Sequence, residues 1–444
     1  MKRAVAGRPH LLRSLALRRT VVVLLSLMVL TPQVAVGESI EQPEQRYPVL
    51  REFWRTLAAE PQQQYMTGAW GGRRQRLVTA GVAPTVTYTA DVLGNPIGGQ
   101  HRALTYSGGL SVDIRLDLEK IWGVAGAVLD ISGAWGSGAS LTIEDFGATF
   151  SASQISDNDA LRLYALVFEQ SWYDHRFDIR LGRFGVGDDF LTSPLYTPFV
   201  SGAFDGSPGS VGVNVPSFTS FPVATWGLRT RVKPLEGMYV MGGMYYSDAS
   251  LGREQAHGLD FSVRDGAGVF VIGEIGYLHQ QRRGATGLAG NYKVGGYYDS
   301  NAYPDLDGAP HAQVRGNYGV YVLVDQQMYR EGAADSAQGL TPFATVTYAP
   351  SDRNTFPLFV STGLVYQGLL PGRDRDIAAF GLAYGQFSRH LSRQVFEMVL
   401  EWTYEIGLAP WLTVQPDIQY IVRPGGTGDI PNAWVIGVQI GMNL

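Results

Sequence analysis

The sequence predicts an all-β fold: a transmembrane antiparallel β-barrel of about sixteen strands, preceded by a short N-terminal helical segment. Three observations lead there. Apolar and polar residues alternate with a period of two over most of the chain beyond Val82. The alternating segments run to about 10–12 residues, the length a tilted membrane strand needs, whereas strands of soluble sandwiches are nearer 5–6. Long and tight connections alternate as far as about residue 330, beyond which both are of similar length; such alternation arises when loops gather on one side of a membrane and turns on the other.

Residues 1–37 read as an export signal. Lys2, Arg3, Arg8, Arg13, Arg18 and Arg19 form a basic head, Val21 to Leu30 an apolar core, and Ala35-Val36-Gly37 a small-residue cleavage site before Glu38. The core is too short to span a bilayer. The segment carries six basic residues and no acid, so its removal takes the net charge from −5 to −11. That balance argues against nucleic acid as a partner. There is no cysteine, which excludes disulfides and thiolate metal sites.

Residues 38–81 form a separate N-terminal periplasmic segment in this reading. A Gln-rich stretch surrounds Phe53 and Trp54, and Arg73-Arg74-Gln75-Arg76-Leu77 predicts a short helix that ends at Gly81. The barrel domain is 82–444. Its strands are expected at 82–94, 110–119, 125–135, 161–172, 176–184, 222–232, 237–247 and 268–278. The second half follows with 290–299, 317–329, 340–349, 357–366, 377–387, 395–406, 410–421 and 433–444. Residues 110–119 show the pattern plainly. Leu110, Val112, Ile114, Leu116 and Leu118 share one face, while Ser111, Asp113, Arg115, Asp117 and Glu119 share the other.

An open sheet edge would leave backbone groups unpaired in lipid, so the last strand is expected to pair with the first, near Val82 to Leu93. Tyr88, Tyr246, Trp402, Tyr404, Trp411, Tyr420 and Trp434 lie near strand ends and suit interfacial girdles. Sixteen strands enclose an aqueous channel, where eight would not.

Setting the apolar face toward lipid turns the charged face into a lumen wall. A lipid-facing Arg or Lys at the midplane costs about 2–4 kcal/mol, which fixes the sign of this assignment. The expected pore-lining, solute-contacting residues are then Asp113, Arg115, Glu169, Arg180, Arg229, Glu274, Lys293, Asp325, Glu401 and Asp417; parity adds Asp117, Glu119 and Arg231. Such carboxylates and guanidinium groups can bond sugar hydroxyls, or simply wet and brace the wall. The longest connection, 185–221, carries Asp188-Asp189-Phe190, Tyr196 and Phe199. It either folds inward and narrows the pore or covers the mouth from outside.

No catalytic residues, cofactor or metal site are expected. The six histidines beyond the signal are dispersed, and no Gly-x-Ser-x-Gly elbow or phosphate loop is present. Asp305-Leu306-Asp307-Gly308 resembles a fragment of a calcium loop but reads as a turn. The Asp374/Asp376 pair likewise reads as solvated turn residues.

A series of motifs resembles the OprB family of carbohydrate-selective porins. Gly68-Ala69-Trp70-Gly71-Gly72-Arg73, with Gly81-Val82, resembles its entry into the first strand. Arg162 to Gln170 and Gly316-Asn317-Tyr318-Gly319-Val320-Tyr321 with Asp325-Gln326 follow in order. Gly363-Leu364-Val365-Tyr366-Gln367-Gly368, Leu370-Pro371-Gly372-Arg373-Asp374, Val399-Leu400-Glu401 and Gln415-Pro416-Asp417-Ile418-Gln419-Tyr420 complete the series. The resemblance implies a sixteen-stranded porin for glucose and related sugars in a Gram-negative outer membrane, with lipid around it and a homo-oligomer left open. It points to Glu169, Arg180, Glu274, Lys293, Asp325 and Glu401 as pore lining. Ala165 stands where the family usually has an acid, Thr345 where it usually has an arginine, and Leu444 where a terminal aromatic is common; the first two departures bear on the width of the eyelet. Rival expectations are a general diffusion porin without sugar preference, a secreted all-β carbohydrate-binding protein or enzyme, and a structural envelope protein.

Overall fold

The computed structural model describes residues 64–139, 141, 143–155, 160–204, 206–248, 251, 257–281, 285–333 and 336–444. The signal segment and residues 38–63 of the N-terminal segment lie outside the described residues. A helix, α1 (Arg73–Thr79), precedes the sheet, and Gly81 follows it with φ +90°.

The strands are β1 (Val82–Ile97), β2 (Leu104–Asp117), β3 (Ala127–Gly138), β4 (Leu161–Trp172), β5 (Phe177–Phe184) and β6 (Thr225–Leu235). They continue with β7 (Met238–Ser247), β8 (Gly268–His279), β9 (Gly290–Pro304), β10 (Gln313–Gln326) and β11 (Gly339–Tyr348). The last five are β12 (Leu358–Gln367), β13 (Ile377–Gln386), β14 (Phe396–Ala409), β15 (Leu412–Val422) and β16 (Ala433–Asn443). A two-residue strand, Tyr329–Arg330, pairs with the end of β11. Each strand pairs antiparallel with its neighbours in sequence, and β1 closes the sheet against β16 from Thr87↔Asn443 to Ile97↔Trp434. This is the sixteen-stranded closed barrel that the period of two predicts.

One boundary differs with consequence. Residues 110–119 do not stay extended to their end, because the Asp117 carboxylate caps a short helix, α2 (Leu118–Trp122), accepting from Glu119 N at 3.1 Å and Lys120 N at 3.2 Å. An N-cap aspartate followed by Leu-Glu-Lys out-competes strand alternation. Glu119 is therefore not a lumen residue; it accepts from Gly126 N in the turn at 3.2 Å.

The ladder register fixes which side chains face inward. Thr85↔Asp113, Asp113↔Ser132, Glu169↔Arg180, Arg180↔Arg229 and Met241↔Glu274 are directly opposed pairs on the inner face. Outward stand valines and aromatics, including Val112, Val240, Val271, Val294, Val320 and Trp402, all well exposed. Tyr88, Tyr246, Trp402, Tyr404, Tyr420 and Trp434 share that outer parity, and the Tyr420 and Trp434 rings sit 4.6 Å apart.

At the edge where residues 173–176 and 236–237 turn, α2 and the 371–376 turn also lie. In that last turn Arg373 grips Asp376 with two bonds, 2.7 and 3.0 Å. The same carboxylate accepts from Tyr404 OH at 3.0 Å and Gly407 N at 3.1 Å. Asp376 is therefore not the solvated turn residue expected: it is buried, because four donors converge on its carboxylate, and it ties two adjacent hairpins. Asp305 accepts from Asp307 N at 3.1 Å, which makes that segment a turn.

Candidate functional site: the lumen and its inward loop

The long connection between β5 and β6 folds into the barrel. Its apolar residues Phe190, Leu191, Tyr196, Phe199, Val200 and Phe204 are buried against the inner wall. Phe199 stacks on Phe204 with centroids 4.3 Å apart, and Phe343 of β11 meets Phe199 edge-on at 5.7 Å. The wall makes room with glycine. A Cβ on Gly381 would stand 2.7 Å from the rings of both Phe199 and Phe204, and one on Gly243 would stand 2.8 Å from Phe190. In an aqueous lumen the loop is held by the same apolar burial that makes a soluble core.

Inward polar groups then bind the loop backbone one by one. Glu274 on β8 accepts from Leu191 N at 3.0 Å while Tyr239 and Tyr321 donate to it at 2.7 and 2.9 Å. Asp325 on β10 takes the Ser193 hydroxyl at 3.3 Å. Lys293 donates to Thr192 O at 2.7 Å. Tyr196 OH bonds Thr345, and burial pushes that phenol up to about 12. Glu401 on β14 accepts from Val200 N and from Ser201 N, the latter at 3.2 Å. Gln415 on β15 donates to Pro198 O. A second inward segment, 146–155, is gripped the same way: Glu397 accepts from Thr149 N at 2.8 Å and Phe150 N at 2.7 Å, and Asp91 takes Ser153 Oγ at 2.5 Å.

Where the loop leaves β5 a compact charge network forms. Arg180 bonds Asp189 at 2.7 Å and lies 3.6 Å from Glu169. Arg229 pairs with Asp178, and reaches Asp189 at 3.3 Å. Arg231 donates to Asp178 at 3.1 Å. Three guanidinium groups face three carboxylates. Each buried charge is thereby matched, which a low-dielectric position demands.

The inner face of β1–β3 carries a different surface. Thr85, Thr87, Thr89, Ser111, Asp113, Arg115, Asp130 and Ser132 are all half-buried. Arg115 bonds both oxygens of Asp130, at 3.2 and 3.0 Å, and Ser111 donates to Asp113 at 2.7 Å. This strip of hydroxyls with two carboxylates and one guanidinium keeps access to lumen water.

The ten residues expected to line the pore separate accordingly. Asp113, Arg115, Arg180 and Lys293 are half-buried and face inward. Glu169, Arg229, Glu274, Asp325, Glu401 and Asp417 also face inward but are buried. Thr345 is buried against Tyr196, whose hydroxyl it bonds, so this stretch of the wall seats an aromatic ring of the inward loop. Asp178, Asp130 and Glu397 are among the participants that escaped the sequence reading, and Asp189 entered it only as part of the long connection, without its partners. Asp178 and Asp130 share parity with Arg180 and with the polar face of β3, so periodicity could have found them. Asp189 and Glu397 act through loop contacts that no local pattern encodes.

Residues 101–444 match the family described as carbohydrate-selective porin, OprB family. Porin B of Pseudomonas aeruginosa is 28% identical over 429 residues, which cover 86% of this chain and 92% of that protein. The high-pH structure of Pseudomonas putida OprB superposes with a TM-score of 0.80 at 28% identity, over 86% of this chain and 99% of that one. The low-pH structure of the same protein gives 0.58 at 23% identity, over the same shares, and speaks to the fold alone.

Proposed function

The chain belongs to the OprB family of carbohydrate-selective porins, and from that premise we propose how its lumen conducts. It is a Gram-negative outer-membrane porin for passive diffusion of small carbohydrates, a channel rather than an enzyme. The route runs between the hydroxyl-rich strip of β1–β3 and the loop of residues 185–224. Asp113, Arg115, Asp130, Arg180 and Lys293 are the charged groups that meet the solute. Glu274, Asp325, Glu401 and Asp417 serve mainly to hold the loop and wall in place. The N-terminal segment 38–81 belongs on the periplasmic side, after removal of residues 1–37 on export.

A sugar entering a narrow lumen loses part of its hydration shell. Carboxylate and guanidinium groups replace those hydrogen bonds, because they accept and donate in paired geometry. The threonine and serine hydroxyls along β1–β3 offer successive weak sites. Several weak sites in series favour entry without trapping. The observation that carries the route is the docking of the 185–224 loop over one side of the lumen, which leaves the β1–β3 strip as the wetted side.

Planar-bilayer conductance with liposome swelling tests both function and route. Protein refolded in detergent should form channels through which glucose enters faster than neutral solutes of similar size. Equal rates for all such solutes would make it a general diffusion porin. Arg180→Gln and Lys293→Gln should each shift selectivity toward cations and alter sugar block, while Glu169→Gln should change conductance by loosening Arg180. Unchanged conductance and block in all three would place the route elsewhere.

A further inference from the structure

The barrel wall has a notch on the side where its longer loops lie. The last pair between β4 and β5 is Leu166↔Arg183, yet β4 continues to Leu161. Beyond Phe184 the chain turns into the lumen and returns only at Thr225. On the far side β7 runs to Ser247, past its last pair with β6 at Gly227↔Tyr245. Residues 161–165 of β4 therefore stand without β5 beside them.

Residues 257–264, from the connection between β7 and β8, cross that notch on the outside and touch all four strands in turn. His257 O accepts from Leu163 N of β4 at 2.9 Å, and its ring Nδ1 lies 2.7 Å from Leu161 O. Gly258 has φ +75°, and a Cβ there would lie 2.1 Å from Leu163 O, so only glycine admits so close an approach. Arg183 of β5 is on the outward parity yet only 6% exposed. It donates to Gly258 O and to Asp260 O, the latter at 3.2 Å, and its guanidinium lies 5.6 Å from the Phe261 ring. Trp226 of β6 donates to Phe261 O at 3.4 Å. Tyr246 of β7 accepts from Arg264 N at 3.2 Å.

The other side of this segment is apolar. Leu259, Phe261 and Val263 are 61%, 42% and 58% exposed, with a period of two. The intervening polar groups are occupied close by: Asp260 accepts from Ser262 N and Oγ at 3.0 and 2.6 Å and from Arg264 at 3.4 Å. The exposed ridge continues the outward Leu161 and Trp135 of the β3–β4 pair.

We infer that residues 257–264 are a substitute wall segment, and that outer-leaflet acyl chains cover Leu259, Phe261 and Val263. Two arguments favour lipid as the occupant. The apolar ridge is continuous with the lipid-facing wall. The segment also supplies partners to an outward guanidinium and to the Leu163 N–H; in water both would be solvated without it, whereas in lipid both require it.

The absence of cysteine makes the test direct. Single variants Leu259→Cys, Phe261→Cys and Val263→Cys are labelled with a nitrobenzoxadiazole fluorophore and reconstituted in phosphatidylcholine–phosphatidylglycerol vesicles. Val271→Cys on the outer wall of β8 and Asp265→Cys on the exposed loop serve as references. Quenching by 5-doxyl phosphatidylcholine is compared with quenching by iodide. The three labels should follow the Val271 reference in lipid quenching and be about fivefold less accessible to iodide than the Asp265 label, as expected of side chains seated at the interface. Iodide access equal to that at Asp265 overturns the inference. So does protection from both quenchers, which would mean a protein partner over the ridge. The result is independent of sugar preference, and the Val271 reference reports separately whether the barrel is inserted.

Discussion

Glu401 separates the two roles a lumen charge can have. Its carboxylate is fully buried and accepts from the backbone of Val200 and Ser201, both equally buried, at the tip of the inward loop. Glu401→Ala leaves two buried N–H groups without acceptors. Leaving a buried donor without its acceptor costs about 1–3 kcal/mol, so two amount to roughly 2–6 kcal/mol in the docked state. Lumen water entering the vacated space brings the loss to the lower half of that range. A loss of about 3 kcal/mol lowers the docking constant of the loop tip by roughly a hundredfold, since 1.4 kcal/mol is a factor of ten. Single-channel recordings should show a higher mean conductance with frequent steps between levels as the tip undocks. Glu401→Gln keeps one carbonyl acceptor and should fall between wild type and alanine. A different result refutes the reasoning: Glu401→Ala with quiet, wild-type-like steps and a shift of selectivity toward anions would make Glu401 a lining charge.

Other consequences follow from the same geometry. Gly381→Val places a side chain where the Phe199 and Phe204 rings lie 2.7 Å from a Cβ. Overpacking of this kind costs about 1–3 kcal/mol. The loop should shift and raise conductance, and an unchanged conductance with normal barrel stability would contradict its inward packing. Tyr196 is pushed up to about 12 by burial, so the docked loop favours the neutral phenol. Its contribution is intact below the ordinary phenol value near 10 and is lost as pH rises from there through 12. Conductance noise should therefore begin above about pH 10 and not at pH 8, and Tyr196→Phe should show extra noise already at neutral pH. Asp376→Ala should destabilise the barrel by about 1–3 kcal/mol, as it unties two hairpins. Urea unfolding in detergent should read that loss, while single-channel conductance stays at the wild-type level.

Legibility differed between wall and loop for a physical reason. Strand parity is local: Asp113, Arg115, Arg180 and Arg229 could be set on the inner face from neighbours two residues away, and the ladder pairs place them there. The end of β2 was misread, because capping by Asp117 is also local but competes with alternation. Which inward charges meet water depends instead on what covers them. Glu274 and Lys293 lie on adjacent strands with the same parity. One is buried under Leu191 and the other stays half-accessible, and nothing in their flanking residues distinguishes them. Arg183 reads as an outward charge on a lipid-facing wall until residues some 75 positions later are brought across it.

The sequence by itself determined the sixteen-stranded barrel, its closure, the side of the sheet that faces lipid, and the family through an ordered series of motifs. Periodicity and lipid solvation suffice for those, since every strand obeys the same two-residue rule. Only the tertiary structure decided that the 185–224 connection docks inside, that six of the ten expected pore charges are buried, and that residues 257–264 patch the outer wall. Those outcomes rest on contacts between residues far apart in sequence. Their strength comes from mutual burial and matched hydrogen bonds, which exist only once the barrel has closed.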